Sequence, residues 1–214
     1  MLSRYSRAEM ENVWSEERKY EIWLEIEIAI LKARAELGEI PVSAAEKVEQ
    51  EAEVDLERIK EIEAETRHDM IAFIEGISEN LGDESRFIHE GVTSSDIKDT
   101  ARAMQMQQAV KLILEDLKSL KETLGEKALA DKDTIMVGRT HGVHAEPITW
   151  GLKVLNWYQE IERQITRFEQ LEEVAAVGQI SGAVGTFATI DPEVEERVCE
   201  ILGLKNSKVS SQIL

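Results

Sequence analysis

Gly138-Arg139-Thr140-His141-Gly142-Val143-His144-Ala145-Glu146-Pro147 interrupts two long stretches that each carry an apolar stripe. Before it, Ile97, Ala101, Met104, Val110, Ile113, Leu117, Leu120 and Leu124 recur at mostly three- and four-residue steps. After it, Ile148, Leu152, Leu155, Ile161, Ile165, Phe168 and Leu171 do the same. Such spacing keeps apolar side chains on one helical face. Each stretch covers ~30 residues, or ~45 Å at ~1.5 Å per residue. Rods of that length exceed a compact domain of this size. They need partner helices, from another chain or from sequence outside this one. The ten residues between them predict a tight loop holding Thr140 and His141. Gly138 and Gly142 permit backbone angles that other residues resist. Pro147 suits the first turn of the next helix, where its missing N–H would have no helical partner. Side chains on such a loop can be aimed at a ligand without disturbing a core.

The flanks read the same way. Met10 to Leu37 predicts a first helix, with Trp14, Ile22, Leu24, Ile26, Ile28 and Leu31 dense enough for burial on more than one side. Gly38 and Pro41 follow it. Ser43-Ala44-Ala45-Glu46 has the form of a capping box that opens a second helix, and Asp55 suits the cap of a third. Arg67-His68-Asp69 precedes the apolar run Met70 to Ile77. Thr93, Ser94 and Ser95 each suit the start of the first long rod. Gly178 to Thr186, with three glycines, predicts a tight turn or small hairpin. Asp191-Pro192 starts a helix that ends at Gly203.

Composition narrows the class. The 214 residues hold 43% hydrophobic and 5% aromatic side chains and three prolines, which favours helix. The net charge of −18 argues against a nucleic-acid polymer as partner, because phosphates are neutralised by clustered Lys and Arg. A single cysteine, Cys199, fits a reducing compartment. No apolar leader and no run of ~18 apolar residues occurs. The expectation is a soluble, cytoplasmic, all-α protein without a membrane partner.

Polar chemistry is segregated. All four histidines (His68, His89, His141, His144) fall in breaks between predicted helices, beside Arg4, Arg67, Arg139 and the hydroxyls at 93 to 95. Core-filling histidines would be scattered over apolar faces. The set suits a small anionic substrate: arginine for phosphate or carboxylate, hydroxyls and helix N-termini for the same groups, histidine for proton transfer. Plainer readings stand beside it. His141 and His144 also suit helix capping, Thr93 and Ser94 suit N-caps, and Arg67-His68-Asp69 suits a surface helix start. A metal pair at His141 and His144 would need a helical segment and lacks the His-Glu-x-x-His pattern. No metal or other cofactor is expected.

Taken in order, these motifs resemble the fumarase/aspartase superfamily, and within it the adenylosuccinate lyase family. The resemblance runs over essentially the whole chain. It is carried by Arg4-Tyr5-Ser6-Arg7, Thr66-Arg67-His68-Asp69 and His89-x-Gly91-x-Thr93-Ser94-x-Asp96. It continues through Gly138 to Pro147, Ser181-Gly182-Ala183-Val184-Gly185-Thr186 and Ser211-Gln212. The resemblance implies β-elimination of fumarate from succinylated purine-pathway intermediates, adenylosuccinate giving AMP among them. A proton must leave a carbon beside a carboxylate, so donors aimed at that carboxylate stabilise the developing charge, and a general acid must protonate the departing nitrogen. By resemblance His141 is that acid and Thr140 holds substrate beside it. Thr93 and Ser94 hold the succinyl portion. Arg4, Tyr5, Arg67, His68 and Asp69 bind the nucleotide part, Gln212 contacts substrate, and His89 supports.

The resemblance also implies a fold and an assembly. It predicts a small N-terminal helical domain over 1–92 and the first part of a central long-helix bundle over 93–214, in a homotetramer whose active sites draw on several subunits. The family's serine base lies on a Ser-Ser-x-Met-Pro-x-Lys-x-Asn loop that this sequence lacks. The chain therefore reads as an N-terminal portion, expected to be inactive alone. Two alternatives remain open: a sibling lyase of the superfamily acting on argininosuccinate, aspartate or malate, and a helical oligomerisation subunit without chemistry.

Overall fold

The computed structural model describes residues 3–214 and is mostly helical. Contacts divide it into two units. One runs through Gln108 and resumes over Ala175–Leu214; the other is Ala109–Val174.

In the first unit a 3₁₀ turn, Ser3–Tyr5, leads into α1 (Ala8–Val13). The single helix expected from Met10 to Leu37 is broken at Trp14. Ser15 takes extended backbone and its side chain accepts the Arg18 N–H at 3.0 Å, so α2 (Glu16–Glu36) begins afresh with its own cap. α2 is the axis of the core. Ile22, Trp23, Ile26, Ile30 and Leu31 are buried, and the Tyr20, Trp23 and Phe73 rings meet at centroid distances of 5.0, 5.4 and 5.9 Å. α3 (Val42–Glu51) lacks the expected capping box. It starts two residues early, leaving Ser43 inside the helix and Pro41 at the cap without a side-chain bond. α4 (Leu56–Thr66) is capped by Asp55 as expected. α5 (Asp69–Ser78) buries Met70, Ala72, Phe73 and Ile77. A second 3₁₀ turn, Gly82–Phe87, leads towards α6 (Ser94–Ala130), which is 37 residues long.

The second unit holds the rest of α6, a hairpin of β1 (Ile135–Thr140) and β2 (Val143–Thr149), and most of α7 (Trp150–Ala175). The expected loop between rods is thus a two-stranded ribbon closed by His141 and Gly142. Both turn residues have positive φ, 52° and 73°, as a two-residue I′ turn requires. Pro147 pairs with Val137 inside β2 instead of opening a helix, and α7 begins at Trp150. In a two-strand ribbon both strands are edges, so a residue without an N–H is tolerated. The Trp150 and Gly151 N–H groups donate to the Thr134 and Asp131 carbonyls at 2.8 and 3.0 Å. A Cβ on Gly151 would lie 2.7 Å from the Lys132 backbone, so only glycine lets α7 start this close to the end of α6. The apolar stripes are only partly covered: Val110 is buried, while Leu120, Leu152, Leu155 and Leu171 are exposed.

Back in the first unit, β3 (Val177–Gly178) pairs in parallel with β4 (Lys205–Asn206), on either side of α8 (Pro192–Leu202). The glycine-rich stretch from 178 is therefore no hairpin. Its strand ends at Gly178, and turns follow. Asp191 caps α8, accepting the Glu193 N–H at 2.9 Å, and Gly203 closes it. Ile180, Val194 and Val198 join α2, Ile97 and Ala101 in one apolar core. No helix among the described residues is long and apolar enough to cross a membrane.

Candidate functional site

Left-handed backbone occurs at a few of the predicted positions. Among the described residues, four non-glycine residues have positive φ: Arg67 (57°), His89 (59°), His141 (52°) and Phe187 (54°). Such conformations cost of order 1–3 kcal/mol and persist where surrounding structure enforces them, often at functional sites. Three of the four are residues singled out from sequence.

Arg67 ends α4 in the left-handed conformation and is exposed. It turns the chain so that His68 caps α5, its Nδ1 accepting the Ile71 N–H at 3.3 Å. Asp69 accepts the Met70 N–H and the Lys98 ammonium, both at 2.8 Å. Partial burial works against the charged carboxyl, but Lys98 and that N–H outweigh it and hold Asp69 below the usual carboxylate range. The motif at 67–69 is thereby fastened to α6 one turn beyond Ser94.

The start of α6 is organised by a carboxylate to which the motifs assigned no role. Asp96 is fully buried. It accepts N–H groups from Thr93 at 2.9 Å, Ser181 at 3.0 Å and Gly182 at 3.1 Å. Burial raises its carboxyl above the usual range, against the pull of these N–H groups and of His89. Thr93 and Ser94, both half-buried, are thus locked to the glycine-rich segment. Thr100 reinforces the joint, accepting the Gln179 N–H at 3.1 Å and donating to the Gln179 carbonyl at 3.0 Å. Glu195 of α8 accepts the Ile180 N–H at 2.8 Å. The tail closes on the same segment: the Ser210 and Ser181 hydroxyls are 2.8 Å apart, and Gln179 Nε2 donates to the Gln212 carbonyl at 3.1 Å. The Gln212 side chain is exposed.

His89 is held by Glu27, which sequence reasoning missed. The signal was available, since Glu27 shares a helical face with Trp23, Ile26, Ile30 and Leu31. A charge on that stripe must be paired.

The remaining positions lie apart in the sequence. Arg4 and Tyr5 are exposed, with the Arg4 guanidinium 4.8 Å from the Tyr5 ring centroid. Thr140 and His141 belong to the second unit, at the exposed tip of the hairpin, with His144 opposite Arg139. His141 and His144 do not lie on a helix, so neither caps one. Among the described residues no group of three or more His, Cys, Asp or Glu is arranged to hold a metal ion. The first unit thus brings together 67–69, His89, Thr93-Ser94, the 181–182 segment and the tail, and the second presents Thr140 and His141 at the end of a two-stranded ribbon.

Comparison with known proteins bears on this arrangement. A family profile described as Lyase matches residues 3–213. The chain is 50% identical over all 214 residues to the adenylosuccinate lyase of Streptococcus mutans, and 48% to that of Thermotoga maritima. It spans about half (50%) of the length of the curated relatives it matches. Among solved structures it is similar to the fumarate lyase of Mesorhizobium sp. BNC1 (TM-score 0.89, 28% identity, 96% of this chain and 51% of that one). It is also similar to the β-carboxy-cis,cis-muconate cycloisomerase of Acinetobacter calcoaceticus (TM-score 0.90, 26% identity, 97% and 51%). With helices, hairpin and polar breaks all falling inside the matched span, the chain belongs to the Lyase family.

Proposed function

We propose that this chain is the N-terminal portion of an adenylosuccinate lyase, which eliminates fumarate from adenylosuccinate to give AMP and from succinyl-aminoimidazole-carboxamide ribotide. The observation that carries the reading is identity near 50% to adenylosuccinate lyases across the whole chain. The hairpin suits a general acid: His141 is exposed at the tip of a two-residue turn, where its ring can reach a leaving nitrogen. Thr140 binds beside it. Thr93 and Ser94 hold the succinyl carboxylates from the start of α6, where helix N–H groups favour anions. Arg4, Tyr5, Arg67, His68 and Asp69 serve the nucleotide, Gln212 contacts substrate and His89 supports.

The division of the whole protein at 92/93 belongs to the same reading, as do a cytoplasmic setting and a homotetramer. The partly covered stripes of α6 and α7 favour partner helices. The substrates are small anions, with no nucleic-acid polymer, membrane, metal or cofactor required. The test is fumarate release by the full-length protein. His141→Ala is expected to abolish it while leaving thermal stability unchanged, since the side chain is exposed. The 214-residue chain alone is expected to release none. Full activity in the His141 variant refutes the assigned acid, and activity of the chain alone refutes the need for the missing base.

A further inference from the structure

Among the buried residues of α2, Glu27 alone carries a charge. A buried carboxylate is costly unless its oxygens are satisfied. Both go to one residue. Oε2 accepts the His89 backbone N–H at 3.0 Å, and Oε1 lies 2.6 Å from His89 Nδ1. The backbone N–H is an obligate donor, so Oε2 is an acceptor. Carboxylates are weaker bases than imidazole, so the proton between Oε1 and Nδ1 rests on the ring. His89 also stands at φ 59°, in a turn that needs outside fastening. One side chain therefore fixes both the backbone and the ring of the residue four before Thr93.

We propose that Glu27 is a positioning residue that holds His89 in its Nδ1–H tautomer. Nε2 then carries the lone pair when the ring is neutral and the second N–H when it is charged. The ring is mostly covered, with its side chain 15% exposed. A merely structural contact would need the same Nδ1 proton, but catalysis would then be indifferent to which nitrogen bears it. The consequence for catalysis rests on the lyase reading above; the tautomer does not.

Glu27→Gln makes the two accounts diverge. An amide has one acceptor oxygen, which the His89 N–H retains. The NH₂ then faces Nδ1, which must become an acceptor, and the ring proton moves to Nε2. Nitrogen-15 shifts of the His89 ring in the 214-residue chain, taken where the ring is neutral, read this directly. Wild type and Glu27→Asp should show Nδ1–H, and Glu27→Gln should show Nε2–H. A neutral Nε2–H ring in wild type overturns the proposal, as does an unchanged tautomer in Glu27→Gln. Where the Gln variant fails to fold, wild type and the Asp variant still decide. In the full-length protein, Glu27→Gln should lower kcat/KM on the order of 10-fold or more. It should add less than about 2-fold to His89→Ala, because Glu27 acts through that ring. Additive losses overturn the proposal. If the full-length wild type releases no fumarate, the lyase reading fails, and the ring shifts still decide whether Glu27 sets the tautomer.

Discussion

Replacing Asp96 should unfasten Thr93 and Ser94 from the glycine-rich segment, at a cost that follows from three hydrogen bonds. Asp96 Oδ1 serves the Ser181 N–H, and Oδ2 serves those of Thr93 and Gly182. Ser181 and Gly182 are buried, whereas Thr93 is half-buried. In Asp96→Ala the Thr93 N–H can turn to water, but the other two donors are stranded. A buried unsatisfied donor costs roughly 1–3 kcal/mol, so the loss should be roughly 2–6 kcal/mol. That is a large fraction of the ~5–15 kcal/mol typical of a folded domain. Asp96→Asn keeps one acceptor for the Oδ2 pair but turns an NH₂ towards the Ser181 N–H, so roughly 1–3 kcal/mol should go. Urea unfolding of the 214-residue chain measures both, read as a lower midpoint at unchanged slope. Amide exchange at Ser181 and Gly182 should accelerate in the same order. An Asp96→Ala chain within ~0.5 kcal/mol of wild type, with Ser181 still protected, would refute the reasoning.

Three further outcomes are expected. Gly151→Ala sets a Cβ 2.7 Å from the Lys132 backbone and should cost roughly 1–3 kcal/mol, visible as a lower melting temperature; an unchanged melt would mean that the α6–α7 junction gives way freely. Cys199 is buried, and burial, with the nearby Glu195 carboxylate, pushes its thiol up to about 12. It should therefore ignore a thiol reagent at neutral pH until the chain is unfolded, and prompt labelling of native protein would contradict this. Glu195 is raised above its ordinary 4.5, first by burial, so the native state holds that proton more tightly than the unfolded chain. Its contribution to stability therefore falls as pH rises from about 4.5 through the raised folded value. Glu195→Gln should remove this slope, so the melting temperature of the variant minus that of wild type should increase with pH; a decrease would reverse the sign of the argument.

Sequence alone determined where most helices lie, because periodicity and caps are local, though not the break at Trp14 or the starts of α3 and α7. The stripe on α6, the Asp55 and Asp191 caps and the dense face of α2 were all readable. The polar breaks were readable too, since residues that belong neither to a core nor to a solvated helix face stand out. The ribbon at 135–149 was not, because Pro147 and the glycines suggested a loop. A strand's hydrogen bonds come from a neighbour that sequence does not name. Tertiary structure alone decided what the buried acids do. Glu27, Asp96 and Glu195 look like ordinary charges in a chain with 43 acidic residues. Each acquires its purpose only when a distant backbone N–H arrives: His89 lies 62 residues from Glu27, and Ser181 85 residues from Asp96. Covalent order fixes local geometry, but a buried carboxylate is made tolerable by donors that only folding brings within reach.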